Sequence, residues 1–232
     1  MKPSVPTDIR EVDMSRILGF LADVTANNNR PWFEANRPRY EEVRADFTCV
    51  AETMIRHIGR FDADIVGLPV SSTLYRFHRD TRFSPDKAPY KRHLGTYINS
   101  RGKKSPHGGY YLHLQPGACM VACGAYCLES SLLRAVRQSV VDRIDEFRAI
   151  VEEPEFHRLF PVIGEERLKT FPAGFARDFA YPEYIRPKDY SIAHPLPDSF
   201  FLQAGWDERA AELFERMKPF LDFVNDTIDD YI

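Results

Sequence analysis

The sequence predicts an α+β fold: one antiparallel sheet of about four to six strands, packed with helices from the N- and C-terminal parts of the chain. Three observations carry this. Apolar residues recur at helical spacing near both ends of the chain. Runs rich in aromatic and β-branched residues cluster between residues 73 and 126. The turns between those runs are short, which favours antiparallel pairing. No internal repeat, low-complexity tract or flexible linker divides the 232 residues, so residues 1–232 are expected to form a single domain.

The first helix is announced by Ile17, Phe20, Leu21 and Val24, and its pattern stops at Asn27-Asn28-Asn29-Arg30-Pro31. Asparagine caps helices and proline suits the first turn of the next one. That next helix carries Phe33, Tyr40, Val43, Phe47, Val50, Met54 and Ile58, with Pro38 expected to break its start from the rest. Strands are expected at 73–78, 94–99, 110–115 and 119–126, with Pro116-Gly117 turning tightly between the last two. A helix then begins at Ser130 and presents Leu133, Val136, Val140, Ile144, Phe147 and Val151 until Pro154 ends it. Residues 160–197 are punctuated by proline and hold one expected strand at 190–193. A last helix places Ala210, Leu213, Met217, Leu221, Val224 and Ile228 on one stripe and is expected to be interrupted at Pro219.

Composition narrows the function classes. At 44% hydrophobic and 28% charged, the chain has the makeup of a globular protein. Nowhere do 18 apolar residues run together, so no span of a membrane is expected. Residues 1–12 carry charges and two prolines but no apolar run, which predicts a cytoplasmic protein without a secretory leader. Cys119, Cys123 and Cys127 are spaced four and four, which matches neither zinc nor iron–sulfur ligation. They are expected to line one face of a strand as small buried hydrophobes, reduced and without metal. No phosphate-binding or dinucleotide glycine fingerprint is present, and no cofactor is expected.

The net charge of −3 hides a segregation. Residues 76–104 hold nine Lys or Arg and two Asp, leaving 22 basic and 32 acidic residues elsewhere. Positive potential concentrated in one stretch attracts anions. Within it, Arg76, Arg79 and Arg82 fall at intervals of three, followed by Asp86, Lys87, Tyr90 and Lys91. Guanidinium forks match phosphate or carboxylate oxygens, and lysines add point charge. Two readings fit. In one, Arg76, Arg79, Asp80, Arg82, Asp86, Lys87, Tyr90 and Lys91 form a prepared site for a small anionic, phosphate-bearing ligand, with the aspartates orienting the cations. In the other, the same charges pair among themselves and pin a loop against the sheet.

Here the sequence resembles a known family. Arg76-x-x-Arg79-Asp80-x-Arg82-Phe83-x-x-Asp86-Lys87-x-x-Tyr90 is similar to the signature of the domain-of-unknown-function 2461 family. So are Asn27-Asn28-Asn29-Arg30-x-Trp32-Phe33, Gly109-Tyr110-Tyr111 with Pro116-Gly117, and Leu168-Lys169 with Pro172-x-Gly174-Phe175, in the same order along the chain. The resemblance implies one α+β domain with no established activity, and draws attention to the same charged segment. Two stretches depart from the family pattern. Cys123-Gly124-Ala125-Tyr126-Cys127 stands where a glycine-rich run and proline are common, and Arg177-Asp178-Phe179-Ala180-Tyr181-Pro182 where an Asp-His-Pro is frequent.

Two further readings fit the same stretch. The first is an enzyme acting on a phosphate- or carboxylate-bearing substrate, with His78 or Asp80 carrying the proton and His93 also flanking the segment. The second is single-stranded nucleic acid, suggested by Tyr75, Phe77, Phe83, Tyr90, Tyr97, Tyr110 and Tyr111 interleaved with cations. The pI near 6.2 counts against the latter, and the same rings serve equally as core and cross-strand pairs.

Overall fold

A computed structural model describes residues 3–82 and 84–232; Phe83 of the signature lies outside the described residues. The fold is α+β, with four antiparallel strands in the order β1 (Leu94–Ile98), β2 (Gly109–Leu114), β3 (Cys119–Ala125) and β4 (Tyr190–Leu196). The helices are α1 (Met14–Ala26), α2 (Arg30–Ala35), α3 (Arg37–Ile58), α4 (Val70–Thr73), α5 (Ser130–Asp142), α6 (Ile144–Val151), α7 (Pro154–Leu159), α8 (Pro182–Ile185), α9 (Asp198–Phe201) and α10 (Trp206–Tyr231). None among the described residues is long and apolar enough to cross a membrane.

Side chains alternate across a strand, so each strand divides between two faces. Leu94 and Ile98, Tyr110, Leu112 and Leu114, Cys119, Val121 and Cys123, and Tyr190 and Ile192 are all buried on one face. That face packs against α10, which brings Phe214, Met217, Leu221 and Val224, and the core continues into α1, α3 and α5. Removing this much apolar surface from water is the main stabilising term. The opposite face carries Tyr97, Tyr111, His113, Met120, Ala122 and Ser191, none of them fully buried. One face packed and one open is common for an antiparallel sheet.

Three expected elements are corrected. Residues 73–78 do not form a strand. Ser72 folds back on the Pro69 carbonyl through its N–H and its hydroxyl, closing α4 up to Thr73. Only Leu74 then bridges to Thr96 of β1, because Phe77 leaves the sheet edge for the aromatic core. The helix expected from Ser130 to Val151 is two helices, parted at Arg143 (φ −115°, ψ 37°), which turns Phe147 onto Phe223 with ring centres 5.0 Å apart. Pro154 opens α7. Conversely, α10 runs unbroken through Pro219. An internal proline costs about 3 kcal/mol; here Met217, Phe220, Leu221 and Phe223 are buried on both sides of it and hold the helix together.

The break expected near Pro38 falls at Asn36, with Pro38 in the first turn of α3. The three cysteines do not share a face. Cys119 and Cys123 point into the core, whereas Cys127 lies past the end of β3, exposed, at φ 59°. The phase is lost at Gly124, whose φ of 117° and closeness to the Tyr190 carbonyl (2.2 Å from an added Cβ) admit no side chain.

Candidate functional site: a cleft on the open face of the sheet

The signature segment closes on itself. The Arg79 N–H donates to the Pro89 carbonyl and the Lys91 N–H to the Phe77 carbonyl, both at 2.9 Å, so two short arms run side by side and bracket a loop. Inside it, Arg79 donates to Asp86 (2.7 Å), to the Ala88 carbonyl (3.1 Å) and to Ser84 Oγ (3.2 Å). Arg82 grips Asp80 through two nitrogens, and Lys87 donates to the Thr81 carbonyl at 3.0 Å. Arg82 beside Asp80, and the Ala88 N–H followed by Arg79 beside Asp86, hold both carboxyls below the usual carboxylate range. Arg79, Arg82 and Lys87 are therefore engaged within the loop. Asp80, held as an anion by its neighbour, is a poor proton donor.

The apolar side of the same segment is an anchor. Phe77 and Tyr90 are buried against Phe33, with Tyr90 stacked on it at 4.0 Å. His78 lies edge-on to Tyr90 at 5.1 Å and to Phe33 at 5.9 Å. Tyr90 thus spends its ring on packing, and its hydroxyl makes no hydrogen bond among the described residues.

What the segment does contribute to open space is Lys91. It stands at one end of a cleft of about 890 Å³ over the open face of the sheet. Tyr97 of β1, Tyr111 and His113 of β2, Met120 and Ala122 of β3, and Ser191 and Ala193 of β4 form the floor. Tyr75, Lys91 and Lys103 form one end; Tyr126, Val162 and Glu165 form the other. Both lysine ammoniums lie over the Tyr75 ring, at 4.9 Å for Lys91 and 5.3 Å for Lys103. Lys103 also donates to the Leu74 carbonyl. Neither lysine, nor neighbouring Arg76, forms an ion pair with a carboxylate among the described residues.

Register sets the floor. Tyr111 faces Tyr97 and His113 faces Gly95 across the β1–β2 pair. A Cβ on Gly95 would sit 2.6 Å from the Tyr111 hydroxyl, so glycine there is what lets that phenol lie flat along the sheet. The Tyr111 hydroxyl meets His113 Nδ1 at 2.8 Å, and the His113 ring lies 4.4 Å from that of His93, tilted by 32°. Also on the floor, the Tyr97 hydroxyl donates to the His107 carbonyl at 3.0 Å.

Burial lowers the pKa of Lys91, helped by Arg76 and Lys103 nearby, and burial likewise lowers that of Lys103. Burial, then His113 and Lys91, pushes His93 down to about 4. His113 is lowered by burial and Lys91, with Gln115 partly offsetting them. Tyr97 and Tyr111 are pushed up to about 12, chiefly by burial, and Tyr126 to about 12 by the Glu165 carboxylate beside it. At neutral pH the cleft therefore holds cations at one end, neutral imidazoles and phenols along its floor, and a carboxylate at the other end.

A family model described as a conserved hypothetical protein (DUF2461) matches residues 16–223. The chain belongs to the DUF2461 family. No curated protein and no solved structure matches it. In this DUF2461 chain the segment singled out from sequence divides in two. Arg79, Asp80, Arg82, Asp86 and Lys87 pair within the loop, His78 and Tyr90 pack against α2, and Lys91 lines the cleft with exposed Arg76 near it. Lys103, His93, Tyr97, Tyr111 and His113 were missed as a group. The signal for them is period two: His93-x-Gly95-x-Tyr97 and Tyr111-x-His113 each place polar or aromatic side chains on one face of a strand.

Proposed function

We propose that this protein binds a small anionic molecule, phosphate-bearing in the first instance, in the cleft over the open face of its sheet. The observation that carries this is the pair Lys91 and Lys103. Two ammoniums turned into one cleft, with depressed pKa values and no carboxylate between them, are a standing charge that an anion neutralises. Arg76 adds to the same field. The cleft volume lies within the range of ligand pockets, roughly 300–1,000 Å³, and its aromatic floor suits the body of such a molecule. A cytoplasmic setting, where thiols stay reduced, fits four cysteines that are all free.

One observation favours catalysis as a second reading: the Tyr111 hydroxyl is bonded to His113 Nδ1, and an imidazole of lowered pKa beside a phenol is a pair that can relay a proton out of the cleft. It takes the place of His78 and Asp80, which lie outside the cleft lining.

The test is thermal melting with phosphate against chloride at equal ionic strength. A ligand bound only by the folded state raises the melting temperature. Phosphate is expected to stabilise the wild type and the Lys87→Ala variant alike. It is expected to do nothing for Lys91→Ala combined with Lys103→Ala. Undiminished stabilisation of that double variant would refute the cleft as the site.

A further inference from the structure

We propose that the closely apposed imidazoles of His93 and His113 are a proton-gated half of this anion site, so that an anion lodged between them and Lys91 binds together with a proton. This rests on the reading of the cleft given above and adds its regulation.

The geometry comes first. His93 precedes β1 and His113 lies in β2, two places apart along one face, with Gly95 opposite His113 leaving no side chain between the rings. That absence lets the rings approach to 4.4 Å. Two imidazoles so close repel each other once both are charged, and Lys91 adds a third positive charge to both. Without an anion the pair is neutral. The Tyr111 hydroxyl and His113 Nδ1 share a hydrogen bond at 2.8 Å; in the tautomer with its proton on Nε2, Tyr111 is the donor and Nε2–H is the other edge of the ring. Neither nitrogen of His93 has a hydrogen-bond partner among the described residues. An anion reverses the balance. It neutralises Lys91, rewards a proton on either ring, and accepts the resulting N–H. If the proton is taken at His113 Nδ1, Tyr111 changes from donor to acceptor without moving.

Of the other titratable groups of the cleft, His107 is bonded to Asp229 Oδ1 at 2.9 Å and to Ser105 Oγ at 2.8 Å, and its control is a His107→Gln variant, which is expected to keep the proton uptake. Burial lowers Lys91 and Lys103 from the ordinary lysine value, and the His93→Gln and His113→Gln variants separate them from this response. Tyr97, Tyr111 and Tyr126 stay neutral through the neutral and mildly acid range, at about 12. Arg76 is permanently charged. Glu165 stands at the opposite end beside Tyr126, and a Glu165→Gln variant serves as the control for it.

The sign of the linkage is fixed. The anion raises the pKa of the pair, so affinity grows as pH falls through the bound value and levels off below the free value, about 4 for His93. Each unit by which the anion raises that pKa is worth about tenfold in affinity.

Sulfate is the probe, because it stays a dianion throughout the window. The full chain is titrated with sulfate by calorimetry from about pH 8 to about pH 5, in buffers of different protonation enthalpy, which report proton uptake directly. The expected result is roughly tenfold tighter binding at the acid end and uptake of about one proton per sulfate. His93→Gln with His113→Gln removes the uptake and the slope, while Glu165→Gln keeps both. As a check that needs no variant, histidine resonances of the wild type titrate at higher pH with sulfate than without it. Sulfate binding with no proton uptake overturns this inference and leaves the anion site standing. Unchanged uptake in the double glutamine variant does the same, and absence of any binding overturns both.

Discussion

Asn28 grips the backbone of Tyr90 with both ends of its amide. Its Nδ2 donates to the Tyr90 carbonyl at 2.9 Å, and the Tyr90 N–H donates to its Oδ1 at 3.0 Å. The side chain thus imitates a neighbouring strand. It ties the Asn27-Asn28-Asn29 turn between α1 and α2 to the far arm of the signature loop, one residue before Lys91. Asn28→Ala leaves a partly buried N–H and C=O without partners, which costs about 1–3 kcal/mol. Denaturant unfolding should show that loss, and weaker anion binding should accompany it as Lys91 loses its position.

The loop charges predict an unequal pair of effects. Arg79, with a side chain 26% exposed, makes three hydrogen bonds, so Arg79→Ala should lower stability by roughly 1–2 kcal/mol. Lys87 is exposed and holds one carbonyl, and Lys87→Ala should fall within about 0.5 kcal/mol of wild type. Equal losses from the two variants, measured by urea unfolding, would show that the loop is not centred on Arg79.

Gly95→Ala places a methyl group 2.6 Å from the Tyr111 hydroxyl. The ring must swing away, and overpacking of this kind costs about 1–3 kcal/mol. The Tyr111–His113 hydrogen bond is lost with it. The expected signature is a lower melting temperature together with an altered titration of His113, read by NMR. A variant with wild-type stability and wild-type His113 titration would contradict the placement of Tyr111.

Stability should fall in mild acid because of His93. Its folded pKa, about 4, lies below the ordinary 6.5, so the unfolded chain binds the proton more readily. The loss begins as pH drops through 6.5 and is complete near 4. The ring is only partly buried, so roughly 1–2 kcal/mol remains after allowance for solvent. His93→Gln should flatten the profile of melting temperature against pH over this window. A profile as steep as that of the wild type would assign the acid sensitivity to other groups.

Much of the fold was legible because its strands announce themselves locally. Leu94–Ile98, Gly109–Leu114 and Cys119–Ala125 fall within a residue of the expected runs, bounded by glycine and proline turns. Residues 73–78 read as a strand from their aromatic and β-branched content, but Ser72 and Phe77 impose a turn and a burial that propensity does not encode. Pro219 reads as a break, and only tertiary packing on both sides of it keeps α10 whole. The candidate site was half legible. A run of cations in one segment is visible in any window, and Lys91 belongs to it. The groups around Lys91 come from residues 75, 93, 103, 111 and 113, which are distant in sequence and meet only in the fold, and a one-residue slip of β2 would turn Tyr111 and His113 to the core. The pairing of Arg79 with Asp86 and of Arg82 with Asp80 likewise depends on how the loop closes.

The central claim is the place where an anion binds, and a crystal structure with selenate tests it most directly. Selenate has the shape and charge of sulfate, and its selenium is located by anomalous scattering without reference to any assumed ligand. The account predicts a selenium peak in the cleft, within hydrogen-bonding reach of Lys91 and of His93 or His113, and no peak inside the loop where Asp86 and Asp80 already hold Arg79 and Arg82. A peak among Arg79, Arg82 and Lys87, with the cleft empty, would contradict it.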